Sequence, residues 1–514
     1  MIRIGIFRIF AAAAVVALEG CAGLPPRPDL PAEQAIAPEP GGRLDAQISL
    51  AEALHPGQSG FRLVKEGAEA FLVRMQSARS ASRSLDVQCY IWHADLTGFY
   101  LGQQLLESAD RGVRVRLLLD DLDARAQNDG FAALAAHPNI EVRMFNPWVT
   151  RDGTLSKAGE GLFHFNRINR RMHNKSWIAD NRIAVVGGRN VGDEYFGAGE
   201  DVNFVDLDFA MIGPVVREVS AAFDQYWNSP SAYPMETLDP GAVNDAALVK
   251  FRQKLGARLA GEERSRYAAA LRADDVVRRM LAGDWPMRWS PKYEFVVDDP
   301  RKVTMKKGDP GRTQVGLALL PTLQSADSEV TVISPYFVPG DEVTAAMTAV
   351  VAAGRQVRVL TNSLVANDVA AVHGGYSRYR KALLKGGVQL WELKPVASGG
   401  SGSSVFGSSG ASLHTKAFAV DGRQLFVGSY NLDPRSTWLN CEQGVLVEDK
   451  PLTQELEALF GKQTDGAHAW RVTLEKGNLS WTDGRETFDS DPKASAWRRF
   501  QAWLTRALHL DAQL

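Results

Sequence analysis

Cysteine is nearly absent. The 514-residue chain has three, Cys21, Cys89 and Cys441. That excludes a disulfide scaffold, and no clustered Cys/His set offers a structural zinc site. Neither sign of charge is in excess: 58 Lys plus Arg face 60 Asp plus Glu, for a net charge of −2. A backbone-coating nucleic-acid binder prefers a basic surface, so the balance weighs against that class. Long apolar runs are also lacking. The clearest one, residues 10–18, is too short to span a bilayer comfortably. What remains is ordinary globular composition, 45% hydrophobic and 23% charged, which excludes disordered and collagenous classes and suits two or three domains.

The short apolar run follows Arg3 and Arg8 and precedes Leu18-Glu19-Gly20-Cys21. This resembles a bacterial lipobox, although Glu19 replaces the usual small residue. Residues 1–21 are therefore read as a lipoprotein-type signal segment with Cys21 as the lipidation site; an uncleaved anchor or a plain signal peptide are the alternatives. The expected location is the bacterial cell envelope on the periplasmic side, anchored to a membrane. Ala22 follows the cysteine where Asp would favour inner-membrane retention, so the outer membrane is the default. Residues 22–58 carry Pro25, Pro26, Pro28, Pro31, Pro38 and Pro40 and read as an extended tether and entry segment. Cys89, inside an apolar run, reads as a buried small hydrophobe.

An internal repeat decides the fold reading. One copy is His173-Asn174-Lys175, Asp180 and Gly187-Gly188-Arg189-Asn190; the other is His414-Thr415-Lys416, Asp421 and Gly428-Ser429-Tyr430-Asn431. The offset is constant: 414 − 173, 421 − 180 and 431 − 190 all equal 241. A single match arises by chance on the order of 10⁻⁸ per starting position, so two with one spacing are a duplication. The apolar runs 84–92 and 329–337, each followed by a helical segment and a second apolar run, predict strand–helix–strand units in both halves. Asp180-Asn181 and Asp421-Gly422 predict turns between short strands. Residues i and i+2 of a strand share a face, so each histidine and its lysine should serve one site.

These paired motifs resemble those of the phospholipase D superfamily, and the segments 90–98, 109–121, 172–198, 371–393 and 428–442 most resemble its cardiolipin synthase C-type branch. The resemblance implies an α/β fold: two similar phospholipase D-like halves related by pseudo-twofold symmetry, with mixed, mostly parallel sheets flanked by helices. It implies one active site at their interface and no metal or cofactor. Physically, a neutral imidazole can attack phosphorus and form a phosphohistidine. A protonated one can donate to the leaving alkoxide. Lys175 and Lys416 can neutralise phosphoryl charge, while Asn190 and Asn431 donate hydrogen bonds. The resemblance assigns His173 as nucleophile and His414 as general acid/base, a choice the nearly symmetric motifs leave open. It also pairs Glu442 with His173 and Asp206 with His414, each acid supporting the other half's histidine. Asp208 competes for the latter role. Asp180 and Asp421 are read as structural turn residues.

His373 and Tyr376 are candidate substrate-binding residues by resemblance, or members of an amphipathic helix packed inward through Tyr379 and Leu383. Trp92, Tyr336 and Phe337 read as core residues first and cleft residues second. The organisation predicted is a first half at 59–229, a helical insertion or linker at 230–310, a second half at 311–465 and a C-terminal extension at 466–514. In residues 398–412, 12 of 15 are Gly or Ser, which suggests a flexible loop before His414 and a candidate lid. Residues 494–510 place Trp497, Phe500, Leu504 and Leu508 on one helical face with Arg498, Arg499 and Arg506 off it, suited to domain packing or to an anionic membrane surface. The resulting reading is a monomeric enzyme that moves a phosphatidyl group between phospholipids at a membrane surface, with no nucleic-acid partner. A hydrolase of the same fold is the alternative; a phosphodiesterase acting on nucleic acid and a lipid-binding protein with a retired site rank lower.

Overall fold

A computed structural model describes residues 23–124, 127–149, 164–306, 309, 312–395 and 412–508. The signal segment with Cys21, and the Gly/Ser stretch up to residue 411, lie outside the described residues.

Two sheets carry the fold. The first has nine strands in the order Arg288–Ser290, Ser59–Val64, Asp208–Ile212, Ile183–Gly187, Ser176–Ala179, Ser84–Cys89, Arg114–Asp120, Ile140–Phe145 and Ala232–Pro234. The second has ten, beginning Tyr293–Val297, Gln443–Glu448, Gln424–Gly428, Ala417–Val420, Glu329–Ile333, Gln356–Asn362 and Gln389–Leu393. Read from Ser59–Val64 in the first sheet and from Tyr293–Val297 in the second, the orders correspond strand for strand, so the duplication in sequence is a duplication in space. The sheets are mixed, but their parallel part is smaller than predicted. Each contains two parallel pairs, Ser84–Cys89 on Arg114–Asp120 on Ile140–Phe145 and the equivalent three strands of the second half. The histidine motif is itself a hairpin, and its strands join by antiparallel pairing.

The hairpin turns explain the motif aspartates. Asp180 and Asn181 both have φ of 52°, and Asp421 and Gly422 have 54° and 59°. These left-handed positions favour Asp, Asn and Gly, as in tight hairpins. The Asp180 carboxylate then accepts from the backbone N–H groups of Ser82, Arg83 and Ser84 at 2.8–2.9 Å. Asp421 does the same to Asp327, Ser328 and Glu329. Each aspartate thus clamps the entry to its neighbouring parallel strand.

Alternation along the strands builds three cores. Ala184 and Val186 face a central core shared by both halves, while Ile183 and Val185 face the first half's outer core. In the second half Ala417, Ala419, Leu425 and Val427 enter the same central core, and Phe418, Val420 and Phe426 face outward. Period-two patterning therefore seats the two sheets on one another and fixes the motifs at their junction.

The connections differ from the predicted layout. The helices Asp245–Leu259, Arg266–Ala273 and Asp275–Leu281 follow the last strand of the first sheet, Ala232–Pro234. Arg288–Ser290 then joins the first sheet and Tyr293–Val297 the second, so the linker stitches the halves together. The C-terminal extension adds Ala469–Glu475 and Asn478–Thr482 to the second sheet. The Pro-rich segment is not a free tether beyond residue 26. Arg27 donates to the Ala232 carbonyl at 2.8 Å, the Ala35 N–H to Asp224 at 2.7 Å, and Glu33 pairs with Arg143 at 3.0 Å. Proline favours extended chain, and here that extended chain finds polar partners on the first half.

Candidate active site

His173 and Lys175 lie just ahead of Ser176–Ala179, and His414 and Lys416 just ahead of Ala417–Val420. They continue each strand towards the other half. The His173 N–H donates to the Cys441 carbonyl at 2.9 Å, and the Cys441 N–H donates to Arg171 at 2.9 Å. Across the pseudo-twofold axis, Ser412–Leu413 pairs in parallel with Phe204–Val205, and the His414 N–H donates to the Val205 carbonyl at 2.9 Å. Each histidine is therefore laced to the segment that carries the other half's acid.

The side chains follow. His173 Nδ1 lies 2.9 Å from Glu442 Oε2, and His414 Nδ1 lies 2.5 Å from Asp206 Oδ2. Asp208, the competitor for the second position, is engaged by Arg74 at 3.0 Å and Arg189 at 3.3 Å. With Nδ1 held in each ring, Nε2 is the atom left for chemistry; no hydrogen bond to either Nε2 occurs among the described residues. Lys175 Nζ donates to the His173 carbonyl at 2.6 Å and Lys416 Nζ to the His414 carbonyl at 2.5 Å. Asn190 bonds the Tyr195 hydroxyl at 2.9 Å, and Asn431 is buried, its Oδ1 without a partner among the described residues.

The two histidine–acid pairs are not electrostatically alike. Burial pushes the Glu442 carboxyl up to about 7, although Lys175 and the Ser429 hydroxyl, 2.5 Å away, favour its anion. Burial, reinforced by Lys175, Lys416 and His414, holds the His173 imidazole well below its ordinary value. This pair favours a neutral ring. For Asp206, burial opposes ionisation, but the His414 charge, its hydrogen bond, Lys416 and Arg189 prevail and lower the carboxyl. His414 is lowered by burial and Lys416, while Asp206 pulls it back up. The His414 ring thus keeps a proton more readily than the His173 ring. Burial also lowers the lysines, Lys175 to about 7 and Lys416 to about 8. An arriving anionic phosphate would restore their charge.

Small residues permit this geometry. A Cβ on Gly188 would stand 2.3 Å from Asp206 Oδ1. The equivalent Ser429 instead supplies a hydroxyl to Glu442.

Aromatic walls surround the histidines, and they were missed as site residues in the sequence. The Tyr90 ring lies 5.0 Å from the His173 ring and 5.0 Å from Lys175 Nζ. Tyr195 lies edge-on to His414 at 5.2 Å, and Phe204 stacks on it at 5.2 Å. The only sequence signal was that the strand carrying Tyr90 ends in aromatics. Trp92 and Phe337 are buried in outer cores.

His373 and Tyr376 are both buried. His373 Nε2 lies 3.1 Å from Asp491 and accepts from Arg380 at 2.8 Å, and its ring meets Tyr376 at 5.4 Å. These contacts place the pair in a buried cluster with Arg380 and Asp491, and none of them reaches His173 or His414. Two groups among the described residues are close enough to hold a metal ion, His93 with Asp95 and Glu194, and His373 with Glu392 and Asp491. No sequence spacing suggested them, because each gathers distant segments. Both are internally paired: His93 Nδ1 lies 3.1 Å from Glu194, and the other group holds Arg380.

Comparison with known proteins agrees with this architecture. Residues 75–227 and 319–464 match the family model described as cardiolipin synthase, PLD-like domain. The chain is 39% identical to cardiolipin synthase C of Escherichia coli over 89% of its own length and 96% of that protein. It is 26% identical to cardiolipin synthase A of Pseudomonas syringae over 78% of this chain and 67% of the relative. A solved phosphatidylserine synthase from Haemophilus influenzae shares the fold with a TM-score of 0.55 at 13% identity, covering 91% of this chain and 98% of that one.

Proposed function

The chain belongs to the cardiolipin synthase, phospholipase D-like family, and from that premise we propose that it transfers a phosphatidyl group from one phospholipid to a hydroxyl of another through a phosphohistidine. The observation that carries the reading is the crossed pairing of each histidine Nδ1 with the other half's carboxylate.

In the first step, His173 Nε2 attacks phosphorus, and its Nδ1 proton rests on Glu442. The phosphorus–oxygen bond to the head-group alcohol breaks as His414 Nε2 donates its proton to the departing oxygen. In the second step, the acceptor hydroxyl attacks the phosphohistidine, the phosphorus–nitrogen bond breaks, and His414 recovers a proton from the acceptor. Lys175 and Lys416 offset charge on the equatorial oxygens, with Asn190 and Asn431 as flanking amides. The lowered His173 and the better-protonated His414 support this division of roles, following the general rule that acid and base are set apart by environment.

One chain supplies both halves of the site, which supports a monomeric enzyme. The sequence up to Cys21 supports a lipoprotein on the periplasmic side, with the outer membrane as the default anchor. Because part of the Pro-rich segment is bound to the first half, the free tether is shorter than its residue count implies, and substrate should come from the leaflet that holds the anchor. The deciding experiment is incubation of purified protein with mixed phosphatidylglycerol and phosphatidylethanolamine. Cardiolipin as product establishes transfer; phosphatidate alone would replace it with hydrolysis.

A further inference from the structure

The C-terminal helix Ala496–Ala507 turns the apolar stripe read from its sequence outward. Ala502 and Thr505 are its buried residues. They rest on the helix Ala370–Lys385, where Gly374 allows the approach: a Cβ there would meet the Ala502 carbonyl at 2.4 Å. Arg498 is also drawn inward and donates to the carbonyls of Leu364 and Asn367. At about 100° per residue, the opposite side carries Trp497, Phe500, Trp503, Leu504 and Leu508. They are 64%, 45%, 53%, 39% and 57% exposed. Trp497, Phe500 and Trp503 stack in sequence at 5.6 and 6.0 Å, so the stripe is a continuous apolar ridge. Such a ridge in water signals a partner.

Charge selects the partner. Residues 493–507 contain Lys493, Arg498, Arg499 and Arg506 and no acid, in a chain whose net charge is −2. Arg499 and Arg506 fall on one flank of the ridge. Tryptophan and phenylalanine on one side with arginine along the edge is the arrangement that enters the head-group layer of an anionic bilayer. The ridge is also coupled to the site. Arg498 holds the segment ending at Asp368, whose carboxylate accepts from the Tyr336 hydroxyl at 2.7–2.8 Å and whose charge acts on Lys416.

We propose that this helix is a docking element that seats the protein on an anionic phospholipid surface and holds the Asp368 side of the cleft towards it. The proposal rests on the lipid reading of the site and adds the surface by which the enzyme meets its substrate.

The test uses the full chain carrying Cys21→Ser in every arm, so that an acyl anchor masks nothing. Flotation with phosphatidylglycerol and with phosphatidylcholine vesicles is compared for that parent, for Trp497→Ala/Trp503→Ala and for Arg499→Gln/Arg506→Gln. The aromatic pair should weaken binding by roughly tenfold per ring, and the arginine pair should weaken binding to phosphatidylglycerol alone. Melting curves and turnover of monomeric short-chain phosphatidylglycerol by the aromatic pair should match the parent, since the inward face is untouched; Arg499→Gln also gives up a bond to the Asp491 carbonyl at 2.9 Å, so the melting curve of the arginine pair is read beside its binding. Aromatic variants that float like the parent would overturn the proposal. So would equal binding of the parent to both vesicle types, or a soluble dimer that the aromatic pair dissociates. A parent that binds vesicles but never turns over short-chain lipid would instead count against the enzymatic reading and leave docking standing.

Discussion

Gly188→Ala is the sharpest probe of the crossed acids. The added methyl would stand 2.3 Å from Asp206 Oδ1, 2.7 Å from Oδ2 and 2.8 Å from Cγ. Its nearest neighbours are all the carboxylate, so the strain falls on that group rather than on backbone. Asp206 can yield only by leaving His414, 2.5 Å away. A hydrogen bond to a charged group contributes about 1.5–3 kcal/mol, and each 1.36 kcal/mol in a barrier is tenfold in rate. Turnover should therefore fall roughly 10- to 100-fold while the chain still folds. The pH dependence carries a sign. Asp206 raises His414 towards its ordinary value, so displacing it lowers His414 further. The limb on which activity is lost as the general acid deprotonates should move to lower pH, and part of the loss should return on acidification. The assay is a pH profile of phosphatidylglycerol turnover in detergent micelles, with circular dichroism as the folding control. Turnover within twofold of wild type and an unmoved limb would refute the role of Asp206. Ser429→Ala is the companion: it removes the 2.5 Å hydroxyl contact to Glu442 and should cost less, about tenfold or below, without moving that limb.

His173→Ala and His414→Ala should each lower turnover by several orders of magnitude in a lipid assay, with melting unchanged, because covalent and acid–base steps together supply most of the barrier reduction. Asp421→Ala should leave the histidines intact but lower unfolding free energy by about 2–4 kcal/mol, since several N–H donors lose one acceptor; denaturant titration reads it. Burial opposes the Asp421 charge, but the donors of Asp327, Ser328 and Glu329 hold its carboxyl below the usual range. Its contribution should therefore be full above the unfolded carboxyl pKa of about 4 and fade as pH falls through the lower folded value. Chelators should leave turnover intact, since the two lysines serve the phosphate; loss restored only by one divalent ion would contradict this. Cys21→Ser should preserve turnover of detergent-solubilised lipid while reducing membrane retention after salt washing, with the C-terminal helix as the remaining attachment.

The motifs were legible in the sequence because their information is local. His173 and Asp180 are seven positions apart, a hairpin turn lies between the strands, and the same arithmetic recurs 241 residues later. Alternation gave the strands for the same reason. What the residues alone could not give was set by distant partners. The crossing of Glu442 and Asp206 came through family resemblance, not spacing: 33 residues separate His173 from Asp206 and 28 separate His414 from Glu442, with no rule linking either across the halves. The Pro-rich segment reads as extended, yet nothing in proline foretells that Asp224 and Arg143 will hold its neighbours. His373 and Tyr376 could be placed on a helix, but which pocket that face enters depends on Asp491, more than 100 residues later. The small residues Ala502 and Thr505, rather than the aromatics, proved to be the inward side of the last helix because Gly374 offers a shallow seat.

The duplication explains how a symmetric sequence yields unequal histidines. Crossed acids make the site a property of the docked pair: neither motif histidine takes its carboxylate from its own half. Each half alone would expose Ala417, Ala419, Ala184 and Val186, which form the shared core, so burial of that core and assembly of the site occur together. Once docked, departures from exact repetition set the two histidines apart. Gly188 opposite Ser429 lets Asp206 approach closely, while Glu442 shares its oxygen with a hydroxyl as well as with His173. Asp206, lowered by its neighbours, pulls His414 back up against burial; Glu442 is instead pushed up to about 7 by burial. The two motif histidines thus stand in unlike surroundings, and the differences between the repeats, Gly188 against Ser429 and Asp206 against Glu442, set them apart.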